Sequence, residues 1–361
     1  MPSSFQPCLI NDASGDPGLF IAFAYNRRAI VFDLGDIAGL SPRDLLKISH
    51  VFVSHTHMDH FAGFDRLLRI MLGRSKTLHF YGPLGFLKNM EGKLSGYTWN
   101  LAGNFTHELV IHATEITEAA HITQRYSCRD GFKPIQDALI SAPLFEAVDA
   151  STTLPLHVLC QEPSFQVTAC ILDHGIPCLS FSLTENFHIN IRKDRLDALG
   201  YVPGPWLQAF KQAVYDGRES ERITPVLQDA HLEKNQKPIA IKELLKEIAI
   251  VSRGQKISYI ADAAYESGSS TENTEKMIAV AKNADHLFIE AAFLEKDKEH
   301  ANRKLHLTAR QAGEIAGRAG ARRFTLFHFS PRYQHAEKLF YAEAFDSYHQ
   351  YFKGLPVSPD A

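Results

Sequence analysis

Four short apolar runs in this chain end directly on side chains that bind metals. Val51-Phe52-Val53 runs into Ser54-His55-Thr56-His57-Met58-Asp59-His60, Ala169–Asp173 into His174, Ile257–Ala261 into Asp262, and Phe324–Phe327 into His328. A run of this length and composition reads as a buried strand. An open α/β sheet builds its site at the carboxyl ends of its strands, so the chain is constrained to bring these ends to one edge. In the first of them His55 and His57 stand at i and i+2 and project from the same side of an extended segment. The turn that follows can then aim Asp59 and His60 at a second ion. Imidazole and carboxylate suit zinc or a similar divalent ion. The five cysteines (Cys8, Cys128, Cys160, Cys170, Cys178) form no C-x-x-C pair, which fits neither a disulfide framework nor a cysteine zinc site.

The rest of the pattern is strand and helix in alternation. Leu19–Ala24 and Ala29–Phe32 read as a hairpin, and Ser41-Pro42-Arg43-Asp44 opens a short helix with Ser as cap and Pro at its first position. Phe64–Leu72 has helical periodicity, and Leu78–Tyr81 reads as a strand. Between roughly 90 and 165 only a strand near Leu109–Ala113 is legible; strands return at Val167–Leu172 and Cys178–Leu183. The last third gives strand Ile257–Ile260, helix Asn273–Lys282, strand His286–Ile289, helix Thr308–Arg318, strand Phe324–Phe327 and helix Ala336–Phe352. Strands alternating with helices favour a layered α/β domain with helices outside. Residues 186–255 interrupt it as a polar, Gly/Pro-punctuated stretch with a helical tail around Ile241–Ile250, which reads as an arm inserted in a single domain 1–361.

Composition narrows the function classes. With 45% hydrophobic and 22% charged residues the chain has material for a sizeable core, which excludes a disordered or collagenous protein. The net charge is −3, so nucleic-acid binding requires a local basic patch rather than an overall field. The longest apolar runs fall far short of the roughly 18 residues that span a bilayer. No basic and apolar leader opens the sequence, so a cytoplasmic protein with no membrane association is expected.

His55-x-His57-x-Asp59-His60 resembles the signature of the metallo-β-lactamase fold, a four-layer αββα sandwich of metal-dependent hydrolases. Further stretches resemble its ribonuclease Z branch, the tRNA 3′-end endonucleases and related phosphodiesterases. They are Phe327-His328-Phe329-Ser330-Pro331-Arg332-Tyr333, Glu290-Ala-Ala-Phe293 with His306-Leu-Thr-Ala309, Tyr81-Gly82-Pro83, and Leu199-Gly-Tyr-Val-Pro-Gly-Pro205, which is similar to the Gly-Pro element of a tRNA-gripping arm. The resemblance runs along most of the chain in order, excluding about 115–165 and 215–250. It implies that His55, His57 and His174 hold one zinc, Asp59, His60 and His328 the other, and Asp262 bridges them. Mn2+ or Fe2+ would suit the same donors. It implies further that His306 is the general acid, that Glu290 orients it, and that Asp59 orients the attacking hydroxide. Two ions would lower the pKa of a bridging water and neutralise phosphate oxygens, and a protonated His306 would donate to the departing sugar oxygen. A phosphodiester substrate, precursor tRNA in particular, and a homodimer are expected. Asp33 and Gly35 resemble the family's early Asp-x-Gly turn and read as support beneath the metals.

Several readings stay open at this level. Glu290 is equally a surface carboxylate at a strand end. Residues 186–222 carry six Lys/Arg against five acids, a local charge of only +1, where a tRNA grip calls for a clear excess of cations. Tyr201 and Trp206 either stack on bases or pack on their own helix. Arg318, Arg322, Arg323 and Arg332 form either a second basic cluster near the site or a solvated helix end. Alternative functions are hydrolysis of a small phosphodiester such as a cyclic nucleotide, and a non-catalytic RNA-binding scaffold. A flavo-diiron oxidoreductase shares the fold, but it carries Glu where His57 stands and no flavodoxin-like partner domain is evident.

Overall fold

The structure, a computed structural model, describes residues 4–24, 26–146, 154, 156–228, 237–265, 271–333 and 335–353. Parts of the stretches 115–165 and 186–255 therefore lie outside the described residues. The first sheet is laid down in chain order: β1 (Phe5–Leu9), β2 (Leu19–Phe23), β3 (Ala29–Phe32), β4 (Ile48–Phe52), β5 (Lys76–Pro83), β6 (Leu109–Ile116), β7 (His121–Ser127) and β8 (Pro134–Ser141). Its centre, β3 to β6, is parallel, and antiparallel pairs flank it on both sides. The second half of the chain adds β9 (Phe145–Glu146), β10 (Leu156–Glu162), β11 (Phe165–Asp173) and β12 (Pro177–Glu185). Next come β13 (His188–Ile191), β14 (Arg222–Ile223), β15 (Ile239–Ala240) and β16 (Ala249–Ser252), paired β13 with β16 and β14 with β15. Finally β17 (Lys256–Ile260), β18 (His286–Glu290) and β19 (Phe324–Phe327) complete a seven-stranded sheet of order β19-β18-β17-β12-β11-β10-β9.

By compactness the chain divides into two units. The larger comprises 5–159, 167–183 and 256–361, the smaller 1–4, 160–166 and 184–255. In the larger unit the two sheets meet through an aromatic layer. Phe32 stacks on Phe181 at 5.1 Å and lies 5.7 Å from Tyr259, Phe52 stacks on Tyr81 at 4.7 Å, and Tyr259 stacks on Phe327 at 5.0 Å. Alternate residues of the same strands face the other way. Val31, Val51, Phe80 and Ile111 pack under Leu67 and Met71 of helix Phe64–Met71 and under Met90 of helix Phe86–Ser95. On the second sheet Ile260, Leu287, Ile289 and Leu326 pack under helices Glu272–Ala281, Ala309–Ala319 and Glu337–Tyr351. Helix, sheet, sheet, helix is the four-layer αββα sandwich that the family resemblance implied, and it agrees with the layered α/β domain read from the strand and helix pattern. Every residue of β3 is fully buried, as a parallel strand covered on both faces must be.

Three local readings are corrected. The stretch with one legible strand holds β6, β7 and β8 as a meander; its signal was lost because β7 buries polar Gln124, whose amide donates to the Ile135 carbonyl at 3.2 Å. An unread strand, β1, pairs with β2 despite Pro7 at its middle. The helical tail stops at Ile248 instead of Ile250, because Ala249-Ile-Val-Ser leaves the helix to pair as β16 with β13. Ile and Val are β-branched and suit that ladder.

The smaller unit has a core of its own. Pro205 starts an 11-residue helix, Pro205–Tyr215, whose Trp206, Phe210, Ala213 and Val214 pack with Ile189, Leu196, Ile241, Leu244 and Ile248. The Gly-Pro element is thus a helix start, with the proline at the one position where its missing N–H costs nothing. Trp206 is 7% exposed and its indole N–H donates to the Val202 carbonyl at 2.8 Å, so of the two readings it takes the packed one.

Candidate metal centre

All the strand-end residues singled out in the sequence sit at carboxyl ends of β4, β11, β17, β18 and β19 in the larger unit. Three overlapping donor groups at this edge have ligand atoms within 4.8 Å of one another: His55, His57, His174 and Asp262; Asp59, His60 and His328; and Asp262, His306 and His328. Asp262 faces the first two. Its Oδ2 lies 4.0 Å from His55 Nε2, 3.6 Å from His174 Nε2 and 3.5 Å from His60 Nε2, and its Oδ1 lies 3.2 Å from His328 Nε2. Asp59 Oδ2 is 3.6 Å from His60 Nε2 and 3.7 Å from His328 Nε2. First-sheet donors face second-sheet donors across the sandwich.

Three of the rings, His174, His60 and His55, are held by their Nδ1 atoms. His174 Nδ1 meets the Leu305 carbonyl at 2.8 Å, and His60 Nδ1 meets Asp33 Oδ2 at 2.9 Å. His55 Nδ1 lies 3.1 Å from the Ser54 hydroxyl and 3.7 Å from the Cys178 thiol. A partner on Nδ1 fixes the tautomer and leaves Nε2 as the lone pair aimed into the site. Burial, then the neighbouring His60, pushes His55 down to about 2, so this ring is neutral. Burial opposes ionisation of Asp262, yet His328 and His60 hold its carboxyl well below the usual range.

Asp33 lies beneath the site, fully buried and with φ of 59°. Its Oδ1 accepts the Ser54 N–H at 2.6 Å; its Oδ2 accepts the Ser54 hydroxyl at 2.8 Å and the Tyr259 hydroxyl at 2.9 Å in addition to His60. Gly35 is required by close approach: a Cβ there would stand 2.2 Å from the Asp59 carbonyl oxygen. The Asp-x-Gly turn therefore touches the metal-binding loop directly.

His306 stands at the rim, where His306 Nδ1 is 3.0 Å from Glu290 Oε2 and 3.7 Å from Asp262 Oδ2. Burial pulls its pKa down, but the Glu290 charge and hydrogen bond, with Asp262 behind them, raise it to about 9. Glu290 is fully buried, and its other oxygen accepts the Ala263 N–H at 2.9 Å. This removes the reading of Glu290 as a surface carboxylate. The helix that follows is started by a capping box of Thr308 and Gln311, which fixes the loop carrying His306.

Ser54, Tyr259, Cys178 and the Leu305 carbonyl were not singled out in the sequence. Leu305 contributes only a backbone oxygen, turned toward His174 by a left-handed φ of 59°, and such a role leaves no side-chain signature. Ser54 had the one available signal, its place immediately before His55. The arginine cluster does not survive as a unit. Arg318 pairs with Glu275 and Glu314, and Arg322 with Asp285. With Arg323 they precede β19, whereas Arg332 follows it.

No model of a protein family matches the chain. A ribonuclease Z of Deinococcus radiodurans is 31% identical over 289 residues, which cover 80% of this chain and 77% of that protein. A ribonuclease Z of Thermococcus sibiricus is 26% identical over 327 residues, covering 88% and 82%. Among solved structures, the short form of human tRNase Z matches with a TM-score of 0.50 at 19% identity over 92% of each chain. The Bacillus subtilis metallo-β-lactamase fold protein YhfI matches with a TM-score of 0.50 at 16% identity, covering 97% and 95%. The structural likenesses give the fold, a metallo-β-lactamase sandwich. The extent of the Deinococcus match goes further: the chain belongs to the ribonuclease Z family of metal-dependent hydrolases.

Proposed function

We propose that this chain is a dinuclear zinc phosphodiesterase that cuts RNA at the 3′ side of tRNA precursors. The observation that carries the reading is the pairing of a two-part donor set around Asp262 with a rim histidine, His306, held by a buried carboxylate. The donors fit such ions. Among the described residues none forms a hydrogen bond of acceptable geometry to the buried His60 Nε2 or Asp262 Oδ1, which a folded protein tolerates where an ion completes them. Nitrogen and oxygen donors without thiolate suit zinc, with Mn2+ or Fe2+ as alternatives.

In this reading His55, His57 and His174 would hold one ion, Asp59, His60 and His328 the other, and Asp262 would serve both. When bound, the ions activate a water and neutralise phosphate oxygens. The chain's own residues do the rest. Glu290 accepts from His306 Nδ1, so His306 Nε2 carries a proton toward the leaving group and hands it to the departing sugar oxygen. Asp59, half-buried at the rim of the second group, orients the nucleophile. Among the described residues no helix is long and apolar enough to cross a membrane. We assign the protein to the cytoplasm as a homodimer, with 186–255 as the substrate-gripping arm.

A second reading, a small phosphodiester as substrate, is favoured by the charge of that arm. Its arginines answer its own acids: Arg192 pairs with Asp194 at 2.8 Å, Arg195 with Glu247 at 2.9 Å, and Arg218 with Asp216 at 2.9 Å and Glu221 at 2.6 Å. The two readings separate in one experiment. Zinc-loaded protein is expected to carry about two ions by elemental analysis and to lose activity in chelator. It is then assayed on a 3′-extended precursor tRNA and on an aryl phosphodiester, with and without residues 190–220. Precursor cleavage that disappears with the arm while aryl hydrolysis persists supports the endonuclease. Aryl hydrolysis without precursor cleavage at any salt leaves the small-molecule enzyme, and absence of bound metal overturns both.

A further inference from the structure

Beyond His306 two arginines, Arg303 and Arg332, converge on one imidazole, His300. Phe293 is 5% exposed, and its ring is 6.1 Å from the ring of His306. The Arg332 guanidinium lies over Phe293 at 5.5 Å, and the half-buried His300 packs edge-on against the same ring at 5.1 Å. His300 in turn stands between two guanidiniums: Arg332 Nη2 is 3.4 Å from its Nε2 and Arg303 Nη2 is 3.3 Å from its Nδ1. A neutral imidazole has one lone pair and a protonated one has none. At most one arginine is therefore accepted, and the other points an N–H at an N–H. Among the described residues no carboxylate stands within ion-pair distance of Arg303 or Arg332. Of the nearby acids, Asp297 accepts from the Tyr333 hydroxyl, and Glu295 accepts from the Thr308 hydroxyl at 2.7 Å and pairs with Lys298 at 3.5 Å. Lys296 adds another cation, 6.0 Å over the Tyr333 ring. Donors converge here in excess of acceptors, and an anion with several oxygens supplies what is missing.

We propose that Arg303, His300 and Arg332 form a subsite for a backbone phosphate of RNA, on the leaving-group side of the scissile bond. The inference rests on the proposed phosphodiesterase reading for its orientation. His306 faces the departing oxygen, and the cluster lies one side chain, Phe293, further out. A small diester with its single phosphate on the metal centre does not reach it. A polynucleotide does, because each strand carries further phosphates past the cut. Phe293 serves as the fixed base that keeps the guanidinium of Arg332 ordered before substrate arrives.

The test uses the full-length, zinc-loaded protein with Arg303 and Arg332 both replaced by Gln, and Arg303→Gln alone. Substrates are a 3′-extended precursor tRNA and an aryl phosphodiester, across a series of salt concentrations. The double variant is expected to raise KM for the RNA about tenfold or more, with a much smaller change in kcat. Its loss on RNA should exceed its loss on the aryl ester by a similar factor. The logarithmic salt dependence of RNA binding should become shallower by about 0.7 in the double variant, which removes the one phosphate contact, and by no more than that in the single variant. Parallel losses on both substrates, or an unchanged KM and salt slope, overturn the subsite. If wild-type protein hydrolyses the aryl ester but not the precursor, the tRNA reading has failed on its own. Polarisation binding of a labelled single-stranded RNA then decides the subsite, upheld by weaker binding and a shallower slope in the variants and overturned by unchanged binding.

Discussion

At the scale of single residues, the centre separates groups that would touch an ion from groups that hold those groups. His306 has its Nδ1 committed to Glu290, which favours a proton donor over a ligand although its ring also faces Asp262. His306→Ala is therefore expected to keep its metal content and to lose about 10²–10⁴ in kcat on a diester with a poor leaving group. An activated aryl ester, needing little protonation, should lose much less; loss of zinc in the same variant would make His306 a ligand. Asp33 acts only through others, since its oxygens collect Ser54, His60 and Tyr259. Asp33→Asn keeps the shape but turns an acceptor into a donor facing the Tyr259 hydroxyl or His60. We expect metal affinity to fall about 10–100-fold and unfolding free energy to fall by about 3 kcal/mol, read by metal titration and urea denaturation of the metal-free protein.

At the scale of elements, close helix contacts are written into particular glycines. A Cβ on Gly313 would stand 2.0 Å from the Ala344 carbonyl oxygen, where helix Ala309–Ala319 meets helix Glu337–Tyr351. Gly313→Ala gains about 1 kcal/mol of helix propensity. Separating two packed backbones costs about 1–3 kcal/mol, so the overlap wins and the midpoint of denaturation should fall. This is also where the sequence could be read and where it could not. Buried strands write themselves as continuous apolar runs, so the ends of β4, β11, β17 and β19 marked their donors by position. β7 and β8 did not, because Gln124 occupies a buried place while Leu139 and Ile140 are exposed, the reverse of the usual pattern. The environment of Glu290 was illegible for a related reason: a carboxylate after Phe288-Ile289 reads the same whether it faces water or His306. The arginines near 320 were adjacent in sequence, but a strand between them carries Arg332 away to the other end.

At the scale of the whole molecule, buried histidines set the acid limit. Burial, reinforced by Arg28 and His79, pushes His50 down to about 3, and burial with Arg323 pushes His286 down to about 3. Both are neutral when folded, while the unfolded chain takes up protons near 6.5. The unfolded state thus binds more protons below that value, and stability falls as pH drops from about 6.5 toward 3. Each ring should cost about 2 kcal/mol between pH 7 and 5. Replacing His50 with Gln should flatten that slope in urea titrations of metal-free protein, and an unchanged slope would remove His50 from the account.

The donors are divided between the two sheets, and the sheets are divided between the two halves of the chain. His55, His57, Asp59 and His60 belong to the first half; His174, Asp262 and His328 arrive with strands built later. A growing polypeptide therefore displays an incomplete chelate until the strand ending at Phe327 has been made. The aromatic layer, Phe32 and Phe52 against Phe181 and Tyr259, must bring the halves into register before the last ligand can close. On the proposed ligand set, ion capture would be a late event in the birth of the protein, and an ion held by both groups would clasp residues 55–60 to residue 328.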